Sequence, residues 1–142
     1  MSSASRERQE REVSLLIEGF LESLARAISE QDRREYSVKE MESRMRELRS
    51  FLGVLSQRWS LGIVFLLYMR NLKFSELREL LVGISSRTLT DKLRMLERNG
   101  LLTRSVVSTA PVRVSYSLTK RGREIALSCL PLLYQVRKQK RT

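Results

Sequence analysis

Only three residues, Gly83-Ile84-Ser85, separate two short leucine-striped segments, and this spacing constrains the fold more than any other feature of the chain. In "FSELRELLV", Phe74, Leu77, Leu80 and Leu81 recur on one side of a helix. In "SRTLTDKLRMLERN", which follows Ser85, Leu89, Leu93 and Leu96 recur at i, i+4 and i+7, the spacing of one buried stripe. A brief connection containing glycine between two such helices is that of a helix-turn-helix. Ser85 is the expected N-cap of the second helix, and Asn99-Gly100 closes it in the left-handed manner. Opposite its leucines fall Arg87, Asp91, Arg94 and Arg98, with Thr88 and Thr90 on the flanks. A solvated surface face is the ordinary reading of that pattern. A helix shaped to enter a DNA groove is the other.

The flanking segments extend the pattern. "LGIVFLLYM", residues 61–69, lies between Arg58 and Arg70. It is far shorter than the ~20 residues that cross a bilayer, so it is expected as a helix buried on all sides. After Gly100 the period changes from helical to alternating: Leu102, Arg104 and Val106, then Val112, Val114, Tyr116 and Leu118. The intervening "STAP" marks the tip of a β-hairpin. Thr119 is then expected to cap a last helix, which Pro131 should kink or interrupt, and "RKQKRT" reads as a frayed cationic tail.

Upstream, Val13, Ile17, Phe20, Leu24 and Ala27 follow a 4,3,4,3 spacing over a helix of residues 6–31. Ser37-Val38-Lys39-Glu40 supplies a capping box, with Tyr36 and Met41 as its hydrophobic staple. A second helix carries Val38, Met41, Met45, Leu48, Leu52 and Leu55 in one stripe. These stripes either fold back on the chain's own domain or pair with a second chain. Pairing is preferred, with Val13, Ile17, Phe20, Leu24, Met41, Met45 and Leu48 as the expected dimer interface.

Charge divides the chain in the same place. Lys and Arg number 27 against 16 Asp and Glu, a net of +11. Residues 1–50 are nearly balanced, with 10 basic and 11 acidic side chains, whereas residues 51–142 hold 17 basic and 5 acidic. We therefore expect a helical extension over 1–50 and a cationic module over 51–142, whose partner is a polyanion. No export signal is evident, and one cysteine, Cys129, makes no internal disulfide, so a cytoplasmic, nucleoid-associated location is expected. Histidine is absent, the six glycines are scattered, and no Cys/His cluster exists. No catalytic residue, metal, cofactor or enzymatic activity is expected.

Helix, helix, turn, helix and two-stranded wing is the order of a winged helix-turn-helix: mainly α with a small β-hairpin, preceded by N-terminal helices. The stretch "WSLGIVFLLYMRNLKFSELRELLVGISSRTLTDKLRMLERNGLLTR" with "PVRVSYSLTKRGRE" resembles the HxlR-type transcription regulators of the MarR-like superfamily. The resemblance covers roughly 51–127. It implies that the helix 85–99 enters the major groove, with Ser85, Ser86, Arg87, Thr90, Asp91 and Arg94 at contact positions. Thr88 and Lys92 complete the expected set on that helix, and Arg104 and Arg113 on the wing 102–118. Three positions depart from the family pattern: Asp91 where an amide is usual, Val112 where a second proline is usual, and Ser115 where an acid is usual. The cysteine that many members carry ahead of the Trp59 helix is missing, so redox sensing is not carried over.

Residue chemistry gives these positions roles. Ser85 and Ser86 at a helix N-terminus favour a phosphate. Arg87 and Arg94 can fork onto guanine, and Thr90 can touch a thymine methyl. Asp91 can accept from a cytosine amine or pair with Arg87 or Arg94, and the intramolecular pair is preferred. Arg104 and Arg113 either contact the backbone or minor groove or brace the hairpin. The expected function is that of a dimeric, sequence-specific regulator on double-stranded DNA, with no membrane partner. An architectural DNA-binding protein and a winged-helix interaction scaffold are the alternatives. A small-molecule effector is compatible with this reading, but nothing in the sequence requires one.

Overall fold

The computed structural model describes residues 3–31 and 37–139. Among these residues six helices and three strands follow one another: α1 (Ser3–Gln31), α2 (Val38–Leu55), α3 (Ser60–Met69), β1 (Leu72–Lys73), α4 (Phe74–Leu80), α5 (Ser86–Arg98), β2 (Leu102–Thr109), β3 (Val112–Leu118) and α6 (Lys120–Gln139). The chain divides into two compact units, Met1–Glu42 and Ser43–Thr142.

The first unit contains α1 and the start of α2. On α1, Val13, Leu16, Phe20 and Leu24 are exposed and Ile17 is half-buried. Helix α2 begins with the anticipated capping box: the Ser37 amide donates to Glu40 Oε2 at 2.8 Å, and the Glu40 amide donates to Ser37 Oγ at 3.3 Å. Tyr36, the expected staple residue, lies outside the described residues, as do 140–142 of the cationic tail.

The second unit is built around one apolar core. Leu55 from α2, Ile63, Val64 and Leu67 from α3, Leu77 from α4, and Leu89, Leu93 and Leu96 from α5 meet Leu101, Leu102, Tyr116 and Ala126 there. Each fully buried leucine contributes about 1.5–3 kcal/mol, so the two leucine stripes of the helix-turn-helix are held by burial rather than by their short length. Helix α3 is not buried on every side: Leu61 is 40% exposed and Met69 80%. Trp59, just before it, has φ 78°, a left-handed value rare for a bulky residue, and the Arg58 guanidinium sits 4.8 Å over its ring.

The expected two-stranded hairpin is the larger part of a three-stranded antiparallel sheet of order β1-β3-β2. Leu72 pairs with Tyr116 and Lys73 with Ser115. Leu102 pairs with Leu118 and Arg104 with Tyr116, and the register shifts between Val106 and Ser108. Helix α6 runs unbroken through Pro131, contrary to the expected interruption. Leu127, whose carbonyl loses its helical donor there, is 45% exposed, so water can take that bond.

A glycine-centred junction fixes the base of the wing. Gly100 has φ 70°, and the Leu101 amide returns to the Leu96 carbonyl at 3.0 Å. Thr119 Oγ1 donates to the Gly100 carbonyl at 2.6 Å and accepts from the Gly122 amide at 2.9 Å, the anticipated cap. The Thr119 amide donates to the Leu101 carbonyl at 3.1 Å. A Cβ on Gly122 would stand 1.8 Å from that same carbonyl oxygen, which is why a glycine follows Thr119 within one turn.

Candidate nucleic-acid interface

Helix α5 starts where Ser85 Oγ accepts from the Thr88 amide at 3.0 Å, while the Ser85 hydroxyl donates to Thr88 Oγ1 at 2.8 Å. Both hydroxyls are therefore occupied in capping, whereas the exposed Ser86 of the first turn has no side-chain partner among the described residues. The turn before it, at Gly83 (φ 91°), tucks Leu81 and Ile84 into the core. With Leu89, Leu93 and Leu96 at 0, 1 and 0% exposure, the opposite face of α5 must point outward.

That face carries Arg87, Asp91, Arg94 and Arg98, all exposed. Among the described residues, none of these four side chains forms a hydrogen bond or ion pair. The preferred Asp91 pair with Arg87 or Arg94 is thus not formed. Arg87 stands four residues before Asp91, the weaker orientation on a helix, and a pair with either arginine would contribute only about 0.2–0.5 kcal/mol. Thr90 turns its hydroxyl back to the Ser86 carbonyl at 2.8 Å, leaving its methyl without a polar competitor. Lys92 lies on the other flank, half-buried, with Nζ donating to Gln57 Oε1 in the α2–α3 connection. The structure thus places Lys92 away from the row of arginines.

The wing meets the helix along a groove of about 330 Å³, which brings Thr90, Arg94 and Glu97 of α5 together with Arg104 of β2. Arg113 of β3 lines a different hollow, of about 500 Å³, with Lys73, Ser75 and Val112. Neither wing arginine's side chain hydrogen-bonds to a described residue, so a bracing role for them is not seen. Lys73 and Glu97 carried no periodic signal in the sequence, and their membership depends on strand pairing and on the hairpin folding beside α5.

Three other arginines of this unit are occupied elsewhere. Arg121 lies 5.5 Å over the Phe51 ring and Arg123 5.1 Å over Tyr68. Arg70 pairs with Glu76 at 2.9 Å, and the Glu76 carboxylate also accepts from the Lys73 amide at 2.7 Å. The backbone hydrogen bond, and after it Arg70, hold the Glu76 carboxyl below its ordinary value. Burial pushes the Cys129 thiol up, disfavouring the reactive thiolate. Among the described residues, no three acidic or thiol side chains gather as a metal site, and no single helix is long and apolar enough to cross a membrane.

A profile described as HxlR-like helix-turn-helix matches residues 54–140. The chain belongs to the HxlR-like helix-turn-helix family. The HxlR-like match spans every element from α3 to α6. Over 87 residues the chain is 39% identical to the HTH-type transcriptional regulator YvaP of Bacillus subtilis, covering 61% of this chain and 77% of that one. A solved MarR-family regulator from Porphyromonas gingivalis W83 superposes with TM-score 0.56 at 30% identity, over 74% of this chain and 94% of its own. Another, from Enterococcus faecalis V583, gives TM-score 0.59 at 32% identity over 68% and 90%. The fold is the winged helix-turn-helix of the MarR/HxlR regulators.

Proposed function

We infer that this HxlR-like protein is a DNA-binding transcription regulator that reads sequence with α5 in the major groove. The observation that carries this reading is the outer face of α5, where Arg87, Arg94 and Arg98 stand exposed and unpaired above a buried leucine spine. Each forked guanidinium–guanine contact discriminates by about 1–3 kcal/mol. Thr90, with its hydroxyl satisfied internally, offers a methyl to thymine. Arg104, across the groove from Arg94, and Arg113 with Lys73 supply charge on the wing side for the backbone or the minor groove. Ser86 offers a hydroxyl at the helix start, where amides favour a phosphate.

The protein acts as a homodimer on this reading, which places it on the nucleoid. Val13, Phe20 and Leu24 on α1 and Met41, Met45 and Leu48 on α2 are each at least 36% exposed, and an apolar stripe of that kind on each helix in water favours pairing. Two copies read half-sites about one helical turn, ~10 bp, apart. The test is fluorescence anisotropy on selected and scrambled duplexes at several salt concentrations, with the mass measured by light scattering. Arg87→Ala with Arg94→Ala should abolish the preference for selected sites and leave salt-sensitive residual binding. Equal affinity for selected and scrambled duplexes at every salt concentration refutes base readout and favours an architectural role. A monomeric mass on bound DNA refutes the dimer.

A further inference from the structure

We propose that Asp91 is a specificity-determining residue that selects cytosine at one position of each half-site and penalises every other base there. The inference rests on the major-groove reading of α5 and deepens it. Residues 51–142 hold five acidic side chains among 17 basic ones. Glu76 is paired with Arg70 and Glu124 with Lys120. Glu79 is on α4, and Glu97 lines the groove toward the wing. Asp91 alone of the five lies in the row of arginines on α5, its side chain exposed and free of any hydrogen bond or ion pair to a described residue.

Helix geometry puts Asp91 about 6 Å along the axis from Arg87 and about 4.5 Å from Arg94, within about 60° of both around it. That separation is between one and two base-pair steps of ~3.4 Å, so the three side chains, unpaired with one another, are spaced to meet neighbouring bases. A carboxylate so placed near two phosphate strands is repelled unless it finds a donor. The carboxylate only accepts. Thymine O4 and guanine O6 and N7 are acceptors, and adenine presents its amine beside the N7 acceptor. Cytosine N4–H₂ is the donor that meets the carboxylate without an acceptor on the same base. Repulsion by phosphates and attraction to a single amine together make an exposed acid a filter, which an arginine in its place would not be.

Selection from a randomised duplex library with the full chain tests this. The wild type should enrich cytosine at one position per half-site by about five- to tenfold over the other bases. Asp91→Ala should leave that position degenerate, keep the remaining preferences and bind scrambled duplex severalfold more tightly. Asp91→Asn should move the preference toward adenine, whose N6 and N7 match an amide. Unchanged thermal unfolding of both variants confirms that the readout is not a folding defect. If Asp91→Ala selects the same bases at every position, or loses all sequence preference, the assignment is overturned while α5 remains the reader. If the wild type itself enriches no sequence, the major-groove reading fails and the assignment fails with it.

Discussion

Replacing Gly122 with alanine sets a methyl carbon 1.8 Å from the Leu101 carbonyl oxygen and 2.8 Å from its carbonyl carbon. Backbone is the obstacle, so no side-chain rotation relieves it. Separation to even 3.0 Å requires a shift of about 1.2 Å between α6 and the strand that enters the wing. That shift breaks the Thr119 amide bond to Leu101 and the Gly122 amide bond to Thr119 Oγ1, at about 1 kcal/mol each. It also dislodges Leu101, which is 0% exposed, and overpacking of this kind costs about 1–3 kcal/mol. The expected loss is about 3–5 kcal/mol. For a unit of this size, each kcal/mol moves the Tm by about 4–8 °C. Gly53→Ala in α2 is the matched control, since nothing lies within 4 Å of its added Cβ and alanine is the better helix former by about 0.5–1 kcal/mol. Thermal unfolding followed by circular dichroism at 222 nm reads both. A Gly122→Ala protein that melts within a few degrees of the wild type refutes the junction as drawn.

Three further outcomes are expected. Ser60 Oγ is buried at 0% residue exposure with no hydrogen-bond partner among the described residues, so Ser60→Ala should leave the Tm unchanged or raise it, and a loss above about 1 kcal/mol in urea unfolding contradicts this. Glu76 has its folded carboxyl below the ordinary 4.5, so its contribution is fully present above that value and is lost as pH falls through the folded one. The Tm difference between wild type and Glu76→Gln should therefore shrink in acid, and a pH-independent difference would count against the Lys73 and Arg70 contacts. Cys129, its thiol pushed above the ordinary 9.0 by burial, should react with a disulfide reagent at pH 8 severalfold more slowly in the native protein than in urea. Equal rates would show the thiol to be open to solvent.

Local sequence determined much of the reading surface. Ser85, Gly100 and the leucines of α5 specify its start, its end and its buried side, because caps and helical period act within a few residues. The Ser37–Glu40 box and the Thr119 cap are legible for the same reason. The alternation in 102–118 gave the wing, since period 2 is visible in a single strand. Two residues cannot display a period, so β1 became apparent only where Leu72 pairs with Tyr116 of β3, more than forty residues away. Pairing and packing of distant segments likewise decided that Arg104 joins Arg94 while Arg113 joins Lys73. They also decided that Lys92 serves Gln57, that Arg121 and Arg123 cover aromatic rings, and that Gly122 leaves room for the Leu101 carbonyl. Periodicity reports which side of an element is buried. Which cations remain free for a partner depends on what the folded chain brings beside each of them, and that is a property of the tertiary structure.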